Sequence, residues 1–235
     1  MSTPDVSLLA DRLTRDRLSS YLSSTAGDLR SAIALYDWNL GAAAAMYEDL
    51  GRLEVVFRNA VDQALVRHGA TESWRTSWYR QSHLFPGRRT SRARADIHGA
   101  RQRATRGGQR GEMHGRVIAE LNFGFWRFLC EASYHTSMWV PCLAAVFPGH
   151  PASHDARQVR ADVAHRMRRF HALRNRIAHH EPIHQWDLAR EHGHLLEVIG
   201  WICSRTRDWA ETASRTQQVL ASRPRRSREQ SAQRS

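Results

Sequence analysis

The chain has 235 residues, of which 41% are hydrophobic, so it contains enough apolar material to bury a core and is not a wholly disordered protein. All 35 basic residues are arginine, and against 23 acidic residues they give a formal net charge of +12. This excess predicts a polyanionic partner, such as a nucleic acid or an anionic membrane surface. Cys130, Cys142 and Cys203 are widely spaced, which favours reduced thiols over a disulfide framework.

No segment of the sequence has the pattern of a membrane span or a secretory signal. Apolar runs such as AIALY and CLAAVF are far shorter than the roughly 18–20 residues of a spanning helix. The first residues, MSTPDVSLLADRL, carry acids and lack the basic-then-apolar order of a signal peptide. We therefore expect a cytoplasmic protein with no membrane contact.

Helical periodicity runs through almost every segment, which predicts an all-α bundle. Asp28 is expected to cap the start of a helical stretch over residues 29–69, which we predict to be two helices broken near Gly41 or Gly51. Further helical patterns follow along the chain: residues 7–22, 115–134, 139–151, 156–180 and 194–220. Residues 1–221 are expected to form a single domain, and the polar, basic residues 222–235 a disordered tail.

Residues 86–111 differ in character, because arginines there are mixed with Gly, Ser and Thr. We expect an exposed basic loop that contains a short solvated helix. The loop has two interpretations, a solvated surface without a partner or a surface that contacts RNA phosphates. The candidate RNA-binding residues are Arg88, Arg89, Arg92, Arg94, Arg101, Arg103 and, outside the loop, Arg176.

The stretch HALRNRIAHHEPIH, residues 171–184, places two arginines and four histidines in fourteen residues. Pro182 is expected to end the helix, with His179 and His180 in its last turn, where the helix dipole favours a protonated imidazole. Arg174 precedes His179 by five residues, which is about 140° around a helix and roughly 7.5 Å along it. Asn175 and His179 share one face and are expected to form a hydrogen bond that fixes the ring.

A guanidinium for a phosphate and a histidine for a ribose hydroxyl are a minimal set of groups for cutting RNA without a metal. Two alternatives compete with this hypothesis. A metal site would use histidines of this stretch and of the residues after it, but their spacing matches no common ligand motif. The six histidines are His171, His179, His180, His184, His192 and His194. The other alternative is a solvated basic helix end, in which the histidines form no site. Trp74 and Trp78 are candidates for stacking on bases, whereas Trp38, Trp126 and Trp201 are expected in the core.

Three ordered blocks of the sequence carry a resemblance to a known family. They are LYDWNLGAAAAMYEDLGRLEVVFRNAVDQAL, GRVIAELNFGFWRFL and LRNRIAHHEPI, and the likeness spans roughly residues 10 to 200. The last block resembles the signature of the HEPN superfamily of α-helical ribonuclease-like domains, an arginine and a histidine separated by four to six residues. Taken together, the blocks resemble the Abi-like (AbiD/AbiF) abortive-infection proteins of bacteria.

The resemblance implies an all-α, HEPN-like endoribonuclease toxin of anti-phage defence that needs no cofactor or metal. Arg174 would bind the scissile phosphate, His179 would act as acid or base, Asn175 would orient the site, and His180 would share the role of His179. The implied partners are RNA as substrate, a second copy of the chain in a homodimer, and a small inhibitory RNA or protein antitoxin. The alternative within this fold is a non-catalytic RNA-binding or regulatory protein.

The second block adds three supporting candidates, Glu54, Arg58 and Asn59. Glu54 and Arg58 are four residues apart, so they either form an ion pair within the helix or both point into the cleft. Phe123, Phe125 and Trp126 are expected to pack in the core rather than to stack on bases.

Overall fold

The structure, a computed structural model, describes residues 6–87 and 91–224. Over these ranges the protein is all-α, as predicted, and contains no β-strand. None of the described helices is both long enough and apolar enough to cross a membrane. The α-helices are α1 Val6–Leu13, α2 Arg15–Ser24, α3 Leu29–Thr71, α4 Ser91–Thr105, α5 His114–Ala119, α6 Phe123–Phe128, α7 Ala156–Ala178, α8 Leu188–Ile202, α9 Ser204–Ala213 and α10 Thr216–Ala221.

The Cα positions divide the chain into two compact units. Of the described residues, 6–49, 173–192 and 213–224 form the terminal unit, and 50–87, 91–172 and 193–212 form the central unit. In the terminal unit, Leu18, Tyr21, Met46, Leu173 and Ile183 are among the buried side chains.

The core of the central unit is rich in aromatic rings. Trp139 and Phe147 stack at 5.7 Å with their planes only 8° apart. Phe123, Phe125 and Trp126 are all buried, which confirms that they pack in the core. The side chains of Trp38 and Trp201 are buried in their respective units as well.

Helix α3 is one continuous helix of 43 residues, so the predicted break near Gly41 or Gly51 is wrong. Each glycine makes a helix interior less stable by about 1 kcal/mol relative to alanine. That penalty is small beside the burial of side chains such as Met46, Leu53 and Phe57, each worth roughly 1.5–3 kcal/mol. The predicted cap is confirmed, because Asp28 Oδ2 accepts a hydrogen bond of 3.0 Å from the Ser31 N–H.

Helix α4 occupies most of the segment that we expected to be a loop. Ala93, Ile97, Ala100 and Ala104 lie on one face and are buried. Their spacing of four, three and four residues is that of an amphipathic helix, but three of the four are alanines and give a weak apolar signal. The segment therefore contains a helix, as expected, but the helix is longer than a short solvated one and buries a stripe of small residues.

Several expected helices are shorter pieces in the structure. Asn122 separates α5 from α6, because its side chain accepts a hydrogen bond from the Phe125 N–H and caps a new helix. The stretch 194–220 contains two interruptions, one at Cys203 and one at residues 214–215. Thr14, at a φ of 67°, interrupts the N-terminal stretch between α1 and α2. Residues 135–143 form a π-helix instead of an α-helix.

Gly51 provides a test of the continuous helix. A Cβ built on Gly51 meets no atom within 4 Å, so Gly51→Ala is expected to stabilise the protein by about 0.5–1 kcal/mol. Gly124, also helical, is the matched control, because its Cβ would lie 3.1 Å from Asn122 Oδ1 and 3.3 Å from His171 Nε2. Urea denaturation should show a higher midpoint for Gly51→Ala and no such gain for Gly124→Ala. A lower midpoint for Gly51→Ala would contradict a helix that continues through this position.

Candidate functional site

Helix α7 ends at Ala178, before the proline that we expected to end it. His180 has a φ of 55°, in the left-handed region, and its N–H donates to the Ile177 carbonyl at 3.0 Å. The next N–H, that of Glu181, reaches back to the Arg176 carbonyl at 2.8 Å. This pair of bonds is a Schellman motif, which closes a helix by turning one residue into the left-handed conformation. His179 and His180 therefore lie in the closing turn, just past the helix.

The four residues of the proposed catalytic motif share this segment of the terminal unit. Arg174 and Asn175 are half-buried, whereas His179 and His180 are exposed. The His179 N–H donates to the Asn175 carbonyl at 2.9 Å, so helical spacing extends from Arg174 to His179. The expected side-chain hydrogen bond between Asn175 and His179 is not formed in the described part of the chain. The His179 ring therefore lacks the partner that we expected to fix it.

The Arg174 guanidinium makes no hydrogen bond or ion pair with any residue in the ranges 6–87 and 91–224. Arg176, two positions along, is used differently. Its Nε and Nη2 both donate to the Pro182 carbonyl, at 3.2 and 2.9 Å, and its Nη1 lies 3.2 Å from Glu181 Oε2. Arg176 thus holds the turn that follows the helix. These contacts within the chain account for the arginine at this position without any contact to RNA.

Three further side chains hold the segment from His180 to His184, and sequence reasoning missed all of them. Arg17 donates to the His180 carbonyl, and Arg223 donates to the His184 carbonyl at 2.9 Å. Asn39, which is buried, accepts a hydrogen bond of 2.9 Å from the Ile183 N–H. No local pattern identifies these partners, because they are remote from the segment in sequence.

His184 is buried beside a cavity of about 540 Å³ in the terminal unit. Its Nε2 lies 3.2 Å from Ser24 Oγ, and its ring is 4.6 Å from the ring of Tyr21. Burial and, to a smaller extent, the Arg223 guanidinium lower the pKa of His184 below its ordinary value of 6.5. His184 is therefore neutral and packs in the unit. Although it lies close to the motif in sequence, we assign it no role in proton transfer.

The supporting candidates lie on α3 in the central unit. The expected ion pair between Glu54 and Arg58 is absent, because the Arg58 guanidinium has no ion pair among the described residues. Arg58 Nε is buried without a hydrogen-bond partner, and Asn59 is exposed. A buried polar atom left unpaired is destabilising by about 1–3 kcal/mol, so Arg58 has no stabilising role that the structure explains.

Most of the arginines proposed to bind RNA on and around α4 bind other parts of the protein. Arg94 donates to the carbonyls of Phe85 and Gly87 at 2.8 and 3.0 Å. Arg101 and Arg103 pair with carboxylates at 2.8 Å, those of Glu112 and Glu120 respectively. The guanidinium of Arg92 lies 4.3 Å from the centre of the Phe128 ring. Arg88 and Arg89 are outside the described residues.

The two tryptophans proposed to stack on bases are involved in contacts within the central unit. Trp78 is buried and donates to Asp62 Oδ1 at 2.7 Å, so it is not a platform for a base. Trp74 packs edge-on against the rings of His68 and His83, each at 5.4 Å. Residues 6–87 and 91–224 contain no group of three or more His, Cys, Asp or Glu side chains arranged to hold a metal ion.

Comparisons with known proteins do not assign the chain to a family. No protein-family model, curated protein or solved structure matches it. The function of the chain is therefore inferred from its residues, their geometry and the resemblance of its three sequence blocks.

The left-handed turn at His180 leads to a prediction on stability. A non-glycine residue in this conformation is less stable by roughly 1–2 kcal/mol, a penalty that glycine avoids. His180→Gly is therefore expected to raise the free energy of unfolding by about 1 kcal/mol. His179→Gly is the matched control and should lower it, because His179 continues the helical hydrogen bonding. If chemical denaturation ranks the two variants in the opposite order, the turn is not closed as described.

His184 leads to a prediction on pH. Because its pKa is lowered in the folded protein, the unfolded chain binds more protons once the pH falls below about 6.5. The free energy of unfolding should therefore fall as the pH is lowered from about 7.5 to 5.5, and His184→Gln should reduce that fall. Urea denaturation of both proteins at each pH measures the difference. Equal pH slopes for the two proteins would show that His184 titrates alike in the folded and unfolded states.

Proposed function

We propose that this protein is a metal-independent endoribonuclease in which Arg174 binds the scissile phosphate and His179 transfers a proton. The observation that carries the proposal is the unpartnered Arg174 guanidinium on a segment where the other arginine is fully used. Nearby Arg176 shows that this turn can satisfy a guanidinium with the Pro182 carbonyl and the Glu181 carboxylate. The Arg174 guanidinium has no such partner among the described residues, so it is available to bind an anion from outside the chain.

The geometry is compatible with a phosphodiester held between the two side chains. Hydrogen bonding is helical as far as His179, so the two Cα atoms are separated by roughly 7.5 Å along the axis and about 140° around it. An extended arginine side chain can curve across this angle to reach an anion beside His179. The exposed His179 imidazole is accessible to a substrate without any rearrangement of the core.

The chemistry proposed for this pair is transesterification within the RNA chain. The ribose 2′-oxygen attacks the adjacent phosphorus, the bond from phosphorus to the 5′-oxygen breaks, and a 2′,3′-cyclic phosphate and a 5′-hydroxyl result. His179 accepts the 2′-hydroxyl proton or protonates the leaving 5′-oxygen. The Arg174 guanidinium stabilises the extra negative charge on the phosphorane.

Each cleavage needs two proton transfers, one from the nucleophile and one to the leaving group. His180 is exposed and adjacent, so it can supply the second transfer in the same chain. The alternative source is His179 of a second copy, which is why the proposal includes a homodimer with a composite cleft. Asn175, half-buried one turn before His179, would bind substrate rather than the imidazole.

The resemblance to Abi-like HEPN proteins suggests the cellular setting. The protein would act in the bacterial cytoplasm during phage infection, and RNA cleavage would stop translation before phage release. A small RNA or a protein antitoxin would restrain it in uninfected cells. The net charge of +12 supports an RNA partner, since phosphate contacts dominate the affinity of basic proteins for nucleic acids.

A second candidate function is RNA binding without cleavage. It is favoured by the absence of a side-chain partner for His179 in the described chain, because an unfixed imidazole is a poor general base. In that case the segment would capture a phosphate through Arg174 and act by blocking or sequestering an RNA.

Cleavage of end-labelled RNA by purified protein in excess EDTA tests the proposal. Arg174→Ala and His179→Ala are each expected to lower the cleavage rate by about 10²-fold or more, since one side chain contributes that much to acid–base or charge stabilisation. The products should carry 2′,3′-cyclic phosphates, which acid opens to a mixture of 2′- and 3′-phosphates.

Matched controls come from the central unit. Arg157 and His154 are exposed and lie outside the motif, so Arg157→Ala and His154→Ala should leave the rate unchanged. RNA binding that survives His179→Ala without any cleavage by wild-type protein would support the non-catalytic alternative. Cleavage that persists undiminished in Arg174→Ala and His179→Ala would contradict the proposal.

A further inference from the structure

A second group of chemically active side chains lies in the central unit, outside the motif described above. Asp62 on α3 contacts His114 at the start of α5, with Nε2 at 2.9 Å from Oδ1 and 3.1 Å from Oδ2. The other ring nitrogen of His114, Nδ1, lies 3.3 Å from Ser77 Oγ. A carboxylate, an imidazole and a serine hydroxyl therefore follow one another in hydrogen-bond contact, and the Ser77 side chain also hydrogen-bonds the Tyr79 side chain.

The order of contacts is that of a nucleophile with its base. If Asp62 accepts the Nε2–H, the lone pair of Nδ1 faces the Ser77 hydroxyl and can take its proton. The distance of 3.3 Å is slightly longer than a tight hydrogen bond, as is common for such pairs before substrate binds.

The imidazole is held by more than the carboxylate. Trp78 Nε1 donates to Asp62 Oδ1 at 2.7 Å, which fixes the carboxylate that orients the ring. The Tyr79 ring stacks on His114 at 5.5 Å with an angle of 22° between the planes. His114 nevertheless keeps 33% of its side chain exposed, and Ser77 is half-buried, so both can meet a small ligand from solvent.

Ser77 precedes the short 3₁₀-helix Trp78–Arg80, and its hydroxyl does not cap that helix. The Ser77 Oγ is therefore not engaged by the backbone of the helix that follows it.

We propose that Ser77, His114 and Asp62 form a hydrolytic site for small carboxylic esters. Ser77 Oγ attacks the ester carbonyl carbon, and its proton passes to His114 Nδ1. The tetrahedral intermediate then collapses, and the alcohol leaves with the proton from His114. Water then attacks the acyl-serine in the same way, which releases the carboxylic acid and restores the Ser77 hydroxyl.

In this scheme Ser77 and His114 are the catalytic residues and Asp62 is a positioning residue that acts through the imidazole. Ser77 is half-buried rather than deeply enclosed, so the substrate proposed for it is an ester with a small acyl group. The site uses no residue of the Arg174–His179 motif, so it stands or falls separately from RNA cleavage.

A fluorophosphonate probe tests the nucleophile directly. Attack by Ser77 Oγ forms a bond to phosphorus, fluoride leaves, and His114 takes the proton, so intact-mass measurement should show one added phosphonyl group per chain. Ser77→Ala should abolish this addition. Ser82→Ala is the matched control, because Ser82 is an exposed serine on the following 3₁₀-helix, and should not affect it.

The base and the positioning residue have their own readout. His114→Gln is expected to slow labelling by about 10²-fold or more. Asp62→Asn keeps an acceptor for the Trp78 indole N–H and should slow labelling by at least about 10-fold at an unchanged circular dichroism spectrum. If the bond between His114 and Asp62 is purely structural, these variants should have a lower melting temperature. The wild-type protein should then show no labelling by the probe.

Two results would overturn the proposal. One is folded wild-type protein that gains no phosphonyl mass. The other is labelling that Ser77→Ala does not reduce. Release of 4-nitrophenol from 4-nitrophenyl acetate should follow the same order of variants, and the double variant Arg174→Ala/His179→Ala should retain it in full. Esterase activity in this double variant therefore shows whether the esterase proposal holds independently of the ribonuclease proposal.

Discussion

The left-handed turn at His180 is the constraint on which the candidate RNA site depends. It ends α7 before Pro182 and keeps His179 in helical register with Arg174. The turn is energetically unfavourable for a non-glycine residue, so its neighbours must stabilise it. Arg17 does so by binding the carbonyl of His180 itself, and Arg176 and Asn39 by binding the backbone of Pro182 and Ile183. The terminal unit thus keeps rigid the backbone from which the two proposed catalytic side chains project.

Charge has two separate uses in this protein. The net charge of +12 predicts a polyanionic partner, yet many arginines bind carbonyls or carboxylates of the same chain. On α4, Arg94, Arg101 and Arg103 hold neighbouring segments in this way. An arginine-rich stretch is therefore a weak indicator of RNA contact. An unpartnered guanidinium such as that of Arg174 is a stronger one, because nothing in the described chain competes with a phosphate for it.

The sequence predicted those features that local patterns determine. The all-α class, the cap at Asp28 and the packing of Phe125 and Trp126 followed from periodicity and composition. The length and the buried face of α4 were missed because alanines form most of that face. The continuous α3 was missed because a local penalty at Gly51 is outweighed by packing along the whole helix.

The candidate site was only partly predictable. The helical spacing expected between Arg174 and His179 is present, whereas the expected hydrogen bond between the Asn175 and His179 side chains is not formed among the described residues. The side chains that hold the segment were not, since Arg17 is 163 residues away from His180 and Asn39 is 144 residues away from Ile183. The line from Asp62 through His114 to Ser77 was likewise invisible, because its three members are spread over more than fifty residues and fit no motif.

The most direct measurement of the central claim is a histidine-selective NMR titration with a 2′-O-methyl RNA oligonucleotide, which has no 2′-hydroxyl and is not cleaved. The account predicts that the His179 ring resonances shift as RNA is added and that Arg174→Ala abolishes the shift. His98, exposed on α4, reports on the alternative basic surface and should change little. Shifts at His98 with none at His179 would contradict the account.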